Sequence, residues 1–233
     1  MILIIKHIDI EGPGTLGDFL KEKEIPFRIV ELGAGEKLLQ SFAGLRAVVV
    51  LGGPMNVDQE KEFPFLKAEN IFIKEVLKQE IPFLGICLGS QLLSKACGGA
   101  VVKSPVKEIG WSKIRLTPDG LKDPFFKEFD PGVEIYQWHE DMFEIPGNGV
   151  LLATGEGCPH QAFRAGKNAY GIQFHIEITD QSIREWSDEY CRKDLPGREE
   201  QRRQMIDGYR KNQKDFRRQS VKMYENFLDI VRK

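Results

Sequence analysis

No run of about 18 apolar residues occurs in the chain, so it offers no obvious membrane-crossing helix. The opening Met1-Ile2-Leu3-Ile4-Ile5-Lys6-His7 is too short for a signal peptide and lacks a basic stretch before its apolar residues. A soluble cytoplasmic protein with no membrane partner is expected. Charge of one sign is lacking too. With 33 lysines and arginines against 35 acidic residues, the net charge of −2 gives no global attraction to nucleic acid, and no nucleic-acid partner is expected. Cysteine is scarce. Cys87, Cys97, Cys158 and Cys191 include no close pair of metal-ligand spacing, and a reducing cytosol argues against disulfides. Also missing are a His-x-x-x-His pair, an acidic calcium loop, and the Walker and dinucleotide glycine fingerprints. No metal, no cofactor and no ATP chemistry are therefore expected.

The 233 residues are 41% hydrophobic, enough for one sizeable core. Up to residue 99, strand and helix patterns alternate, as a mostly parallel sheet requires. Strands are expected at Ile2 to Ile5, Pro26 to Glu31, Ala47 to Leu51 and Ile81 to Ile86. Helices are expected at Thr15 to Lys23, Glu36 to Phe42, Phe65 to Lys78 and Ser90 to Ala96. The Phe65 helix carries an apolar stripe through Leu66, Ile73, Val76 and Leu77. After residue 99 short β-like runs take over, at 100–103, 111–116, 133–138, 150–153, 161–164 and 169–174. The expected class is α/β, a mostly parallel central sheet flanked by helices, with a small added β layer. From Arg192 to Arg218 ten basic residues face five acids. The run after Pro196-Gly197 reads as one or two charged helices, with Phe216, Met223, Phe227 and Val231 at helical spacing. Residues 1–190 are expected to form one domain, with 191–233 a charged helical extension packed on it. A partner-binding role for this tail stays open.

Gly85-Ile86-Cys87-Leu88-Gly89 concentrates the chemistry. It places a cysteine between a buried strand and a helix, flanked by small residues, in the pattern of a nucleophile elbow with cysteine in place of serine. The helix N-terminus beside it favours thiolate over thiol. A second apolar strand ends in Phe174-His175-Ile176-Glu177. A thiol needs a base, and the base needs a third group to fix its tautomer. Cys87, His175 and Glu177 supply all three. Cys97, Cys158 and Cys191 are read as packing residues, and His7 and His160 as incidental.

Gly85 to Gln91, followed by His175 and Glu177, resembles the signature of the class I glutamine amidotransferases, in their triad-bearing domain. Gly52-Gly53-Pro54-Met55 is similar to the family's glycine-rich oxyanion loop, and Trp138-His139-Glu140-Asp141 to its glutamine-holding segment. These four motifs spread over about residues 1 to 190. The resemblance implies a flavodoxin-like fold and attack by Cys87 on the side-chain amide of glutamine or a γ-glutamyl amide. His175 would shuttle the proton and Glu177 would hold His175. The amides of Gly53 and Leu88 would bind the oxyanion. Gln91 would touch substrate, and backbone groups of Glu140 and Asp141 would hold its α-substituents. By the same resemblance His139 is structural or pocket-lining. One departure stands out, because Ile176 replaces the family's proline between histidine and glutamate.

Members of this family usually feed ammonia to a synthetase, and none is fused here. The loop and the Gln137 to Asp141 stretch are most similar to the GMP synthase amidotransferase domain and its stand-alone relatives, among them γ-glutamyl peptidases. Three readings follow: a free-standing hydrolase, a glutaminase subunit needing a separate synthetase, or a non-catalytic module. The Lys103 to Trp111 segment is expected to be a loop that sets substrate choice.

Overall fold

Apolar runs flanked by amphipathic helices fold as the alternation demands. The computed structural model describes residues 1–191 and 197–232, so the first residues of the charged tail, 192–196, lie outside the described residues. Strands β1 (Ile2–Lys6), β2 (Phe27–Glu31), β3 (Ala47–Val50) and β4 (Phe83–Ile86) are joined by helices α1 (Gly14–Glu22) and α2 (Phe65–Lys78). Helix α3 (Leu88–Ala96) follows, then β5 (Val101–Leu116), β6 (Gly132–Phe143), β7 (Gly149–Gly155), β8 (Ala162–Ala165) and β9 (Ala169–Ile172). Helices α4 (Asp180–Tyr190) and α5 (Arg198–Val231) close the chain.

The described strands form one sheet in the order β2-β1-β3-β4-β9-β8-β7-β5-β6. From β2 to β9 the neighbours run parallel, and from β9 to β6 they run antiparallel. Parallel strands covered on both faces read as unbroken apolar runs. Accordingly all of Ala47–Val50 and Phe83–Ile86 are buried. The chain reverses direction across the sheet between β1 and β3. Such a switch point opens a crevice beyond the carboxyl ends of the strands.

Two expectations need correction. Glu36 to Phe42 is not a helix. Gly35 and Gly44 bracket it with positive φ, leaving too few residues to offset nucleation, and Phe42 stacks on Phe72 of α2 at 5.2 Å instead. Residues 103–111 are not a loop either. They lie within β5, which pairs with β6 on both sides of a register shift between Lys103 and Glu108. The two strands expected at 100–103 and 111–116 are thus one.

The charged tail is a single 34-residue helix, α5. Its exposed charges leave one apolar stripe, with Met205, Tyr209, Phe216, Met223, Tyr224 and Phe227 buried in the same cluster as Ile4, Tyr136 and Ile176. A fully buried side chain of this size contributes about 1.5–3 kcal/mol. The indole of Trp111 on β5 donates to the Met205 carbonyl at 3.0 Å and meets Phe216 edge-on, which fixes the helix across the sheet.

Candidate active site

Cys87 occupies the residue between β4 and α3 with φ 51° and ψ −108°, a strained conformation for a non-glycine residue. The turn is too tight for larger neighbours. A Cβ on Gly85 would lie 2.3 Å from the Gly89 carbonyl oxygen, and one on Gly89 would lie 2.1 Å from that of Val50. The Cys87 amide donates to the Ile172 carbonyl of β9 at 2.8 Å, tying the elbow to the strand that leads to His175.

Past the end of β9, His175 donates its backbone N–H to the Tyr136 carbonyl at 2.8 Å, a bridge to β6. Its ring is 4.8 Å from that of Trp186, edge-on, and the residue is 1% exposed. Nδ1 lies 2.7 Å from Oε1 of Glu177, itself 3% exposed. A carboxylate accepts, so Nδ1 carries the proton and Nε2 remains for the sulfur. Burial depresses the His175 pKa, but the Glu177 charge, the Cys87 sulfur and hydrogen bonds to both raise it well above the usual imidazole range. Cys87, His175 and Glu177 are thereby brought together.

Ile176 is fully buried, and two side chains of α5 reach its carbonyl. The Tyr224 hydroxyl donates to it at 3.0 Å. The Ser220 hydroxyl lies 2.9 Å away and shares its single proton with the Phe216 carbonyl at 2.8 Å. The turn that lacks the family's proline is held from outside.

Gly52 and Gly53 follow β3. The amides of Gly53 and Leu88 have no acceptor among the described residues. Gly53, Cys87, Gln91, Glu140, Asp141 and His175 line one cavity of about 740 Å³ at the carboxyl edge of the sheet. Gln91 donates to the Asp141 carbonyl at 3.2 Å and to Gln173 at 3.3 Å, and its side-chain oxygen has no hydrogen-bond partner among the described residues. Glu140 pairs with Lys107 at the rim, and Asp141 binds Lys103 at 2.9 Å and Asn56 at 2.7 Å.

Some neighbours escaped the sequence reading. His7 is fully buried between Gly52 and Glu69, so it is not incidental. Its place at the carboxyl end of β1 was a signal, but its partner is 62 residues away. Glu11 adds a buried carboxylate to the cavity wall. It accepts from the Tyr190 hydroxyl at 2.6 Å, and burial pushes its carboxyl up. His139 turns away from catalytic geometry. Its Nδ1 donates to the Asp141 carbonyl at 3.0 Å and its Nε2 faces Glu108 at 3.1 Å, where Gln161 also donates at 2.9 Å. The donor atoms of Glu108, His139 and Cys158 lie within 4.8 Å of one another. Each has a hydrogen-bond partner in the protein, and burial pushes the Cys158 thiol up, away from the thiolate a metal would need.

A sequence profile of the family described as glutamine amidotransferase class-I matches residues 20–185. The chain belongs to this family. The glutamine amidotransferase-like protein YfeJ of Salmonella typhimurium is 33% identical over 182 residues, 77% of this chain and 76% of that protein. The glutamine-hydrolysing GMP synthase of Thermosipho africanus is 36% identical over 139 residues, 59% of this chain and 25% of that protein. The chain thus spans about a quarter of the length of that synthase. Among solved structures, a glutamine amidotransferase of Thermotoga maritima has a TM-score of 0.90 at 34% identity, covering 100% of this chain and 98% of that one. A class I amidotransferase fold is therefore the scaffold on which this cavity is built. No helix among the described residues is long and apolar enough to cross a membrane.

Proposed function

We propose that the protein hydrolyses the side-chain amide of glutamine, or a related γ-glutamyl amide, through a thioester on Cys87. The observation that carries this reading is the 2.7 Å contact of His175 Nδ1 with Glu177, which leaves the ring's other nitrogen for the strained Cys87. In acylation the sulfur bonds to the amide carbon, and the oxygen becomes negative against the amides of Gly53 and Leu88. The C–N bond then breaks, and the His175 imidazolium gives its proton to the departing ammonia or amine. In deacylation His175 takes a proton from water, hydroxide attacks the thioester, and glutamate leaves as the Cys87 sulfur is released. Glu177 keeps the ring in the tautomer both halves need. Gln91 would accept from the substrate at the head of α3. Residues 1–190 would form the catalytic domain, with 191–233 an extension packed on it.

A γ-glutamyl amide with a bulkier leaving group is favoured by one observation: the 740 Å³ cavity continues past Cys87 to Trp138, Trp186 and Tyr190. A separate synthetase partner is supported by the match to only a quarter of a GMP synthase. Released glutamate, measured with glutamine and with glutathione, tests these readings. Turnover of either compound should fall at least about 1,000-fold in Cys87→Ala. Turnover that survives this substitution would sink the thioester. A folded protein whose Cys87 resists alkylation would favour a binding module.

A further inference from the structure

A buried histidine–glutamate pair lies directly behind the Gly52-Gly53 loop. His7 and Glu69 are both fully buried. The Nδ1 atom of His7 is 2.7 Å from the Gly52 carbonyl oxygen, and its Nε2 is 3.2 and 3.0 Å from the two carboxylate oxygens of Glu69. A carbonyl can only accept, so Nδ1 is a donor. The Glu69 carboxyl has no other partner among the described residues, so Nε2 of His7 is its single hydrogen-bond contact. The ring is held by both nitrogens, and Phe65 stacks on it at 6.1 Å.

The bond to Gly52 has a consequence one atom further on. The Gly52 carbonyl and the Gly53 N–H belong to one planar peptide unit, and in the trans form they point to opposite edges. Donation by His7 to one edge therefore dictates where the other edge aims. That other edge is the Gly53 N–H, which has no acceptor among the described residues and whose residue lines the cavity with Cys87. Glycine peptides rotate easily, so an unbraced Gly52-Gly53 unit would sample several orientations. Space reinforces the point, because a Cβ on Gly53 would sit 3.1 Å from the Cβ of His7.

We infer that His7, braced by Glu69, is a positioning residue for the oxyanion donor: it locks the Gly52-Gly53 peptide plane so that the Gly53 amide meets the oxygen that turns negative when Cys87 attacks. The role rests on the acyl transfer proposed above. It acts through the backbone, and His7 itself touches neither substrate nor sulfur. A donor aligned before reaction needs no reorganisation as charge develops, which is what makes such groups effective. Donation into the carbonyl also polarises the peptide unit and strengthens its N–H as a donor.

Three variants separate this role from simple core packing: Glu69→Gln alone, and the same background carrying His7→Leu or His7→Asn. Glutamine at 69 avoids leaving a buried charge unpaired. Asparagine at 7 keeps a side-chain N–H where Nδ1 was, and leucine removes it. Glutamate release should show kcat reduced about 10- to 100-fold with leucine, KM little changed, and most of kcat restored with asparagine. Iodoacetamide alkylation of Cys87 forms no oxyanion, and its rate should be the same in all three. Equal kcat with leucine and asparagine would overturn the inference, as would an alkylation rate that falls in step with kcat. A wild-type protein that releases no glutamate from any γ-glutamyl compound would remove the acyl-transfer reading first, and this role with it.

Discussion

Cys87 and His175 share an environment that no single residue type supplies. His175 is buried, which alone would keep it neutral, yet Glu177 reverses the sign and holds it protonated above the usual imidazole range. An imidazolium next to a sulfur favours thiolate over thiol as a general rule. Glu177→Gln preserves an acceptor for Nδ1 and removes the charge. In that variant the His175 pKa falls, and alkylation of Cys87 at pH 7 should slow. An unchanged alkylation rate would mean that Glu177 orients the ring without tuning it. Much of this was legible in the sequence, since the cysteine between glycines and the His-x-Glu pair are local patterns. His7 was not, because its meaning lies in a peptide plane 45 residues away and a carboxylate 62 away.

Among elements, α5 shows the largest gap between sequence and structure. Its basic composition made it read as a solvated cover, with partner binding left open. The spacing of Phe216, Met223 and Phe227 did identify the buried face. What spacing could not reveal is that two polar residues on that face, Ser220 and Tyr224, end on the Ile176 carbonyl. Each such bond contributes about 0.5–1.5 kcal/mol net. Ser220→Ala with Tyr224→Phe should therefore lower stability by about 1–3 kcal/mol in urea denaturation. It should also cut kcat several-fold, and Ile176→Pro should restore part of that loss. Full activity in the double variant would show that the turn holds its shape unaided. The strand β5 carries a similar lesson. Its charged segment 103–108 looks like a loop, yet pairing with β6 continues around the register shift there. Glu36 to Phe42 errs the other way, because helical spacing there serves docking onto α2.

At the scale of the whole molecule, buried titrating groups set how stability responds to pH. Burial lowers the His7 pKa, but the Glu69 charge and hydrogen bonds to Glu69 and Gly52 raise it overall above its usual value of 6.5. A raised folded-state pKa contributes stability that is complete below the unfolded value and is lost as pH climbs through the folded one. The variant carrying both His7→Asn and Glu69→Gln has no such pair to titrate. Its deficit in unfolding free energy relative to wild type should be largest near pH 6 and shrink towards pH 9. A deficit that grows with pH would show that the pair does not fold as an imidazolium with a carboxylate. The parallel half of the fold followed from strand and helix alternation. The order of its strands, and so the crevice that collects Gly53, Cys87 and His175, depends on pairings that no local pattern encodes.

The hydroxyls that pin the Ile176 carbonyl have a consequence in time. They are made 44 and 48 residues after the turn they hold. A ribosome-bound chain that has just completed Glu177 already carries Cys87, His175 and Glu177, yet nothing from α5 holds the turn between the last two. Until the helix has emerged and folded back, the turn rests on α1, where the Thr15 N–H donates to the Glu177 carbonyl at 2.8 Å, and the two α5 hydroxyls are the last holds to be added.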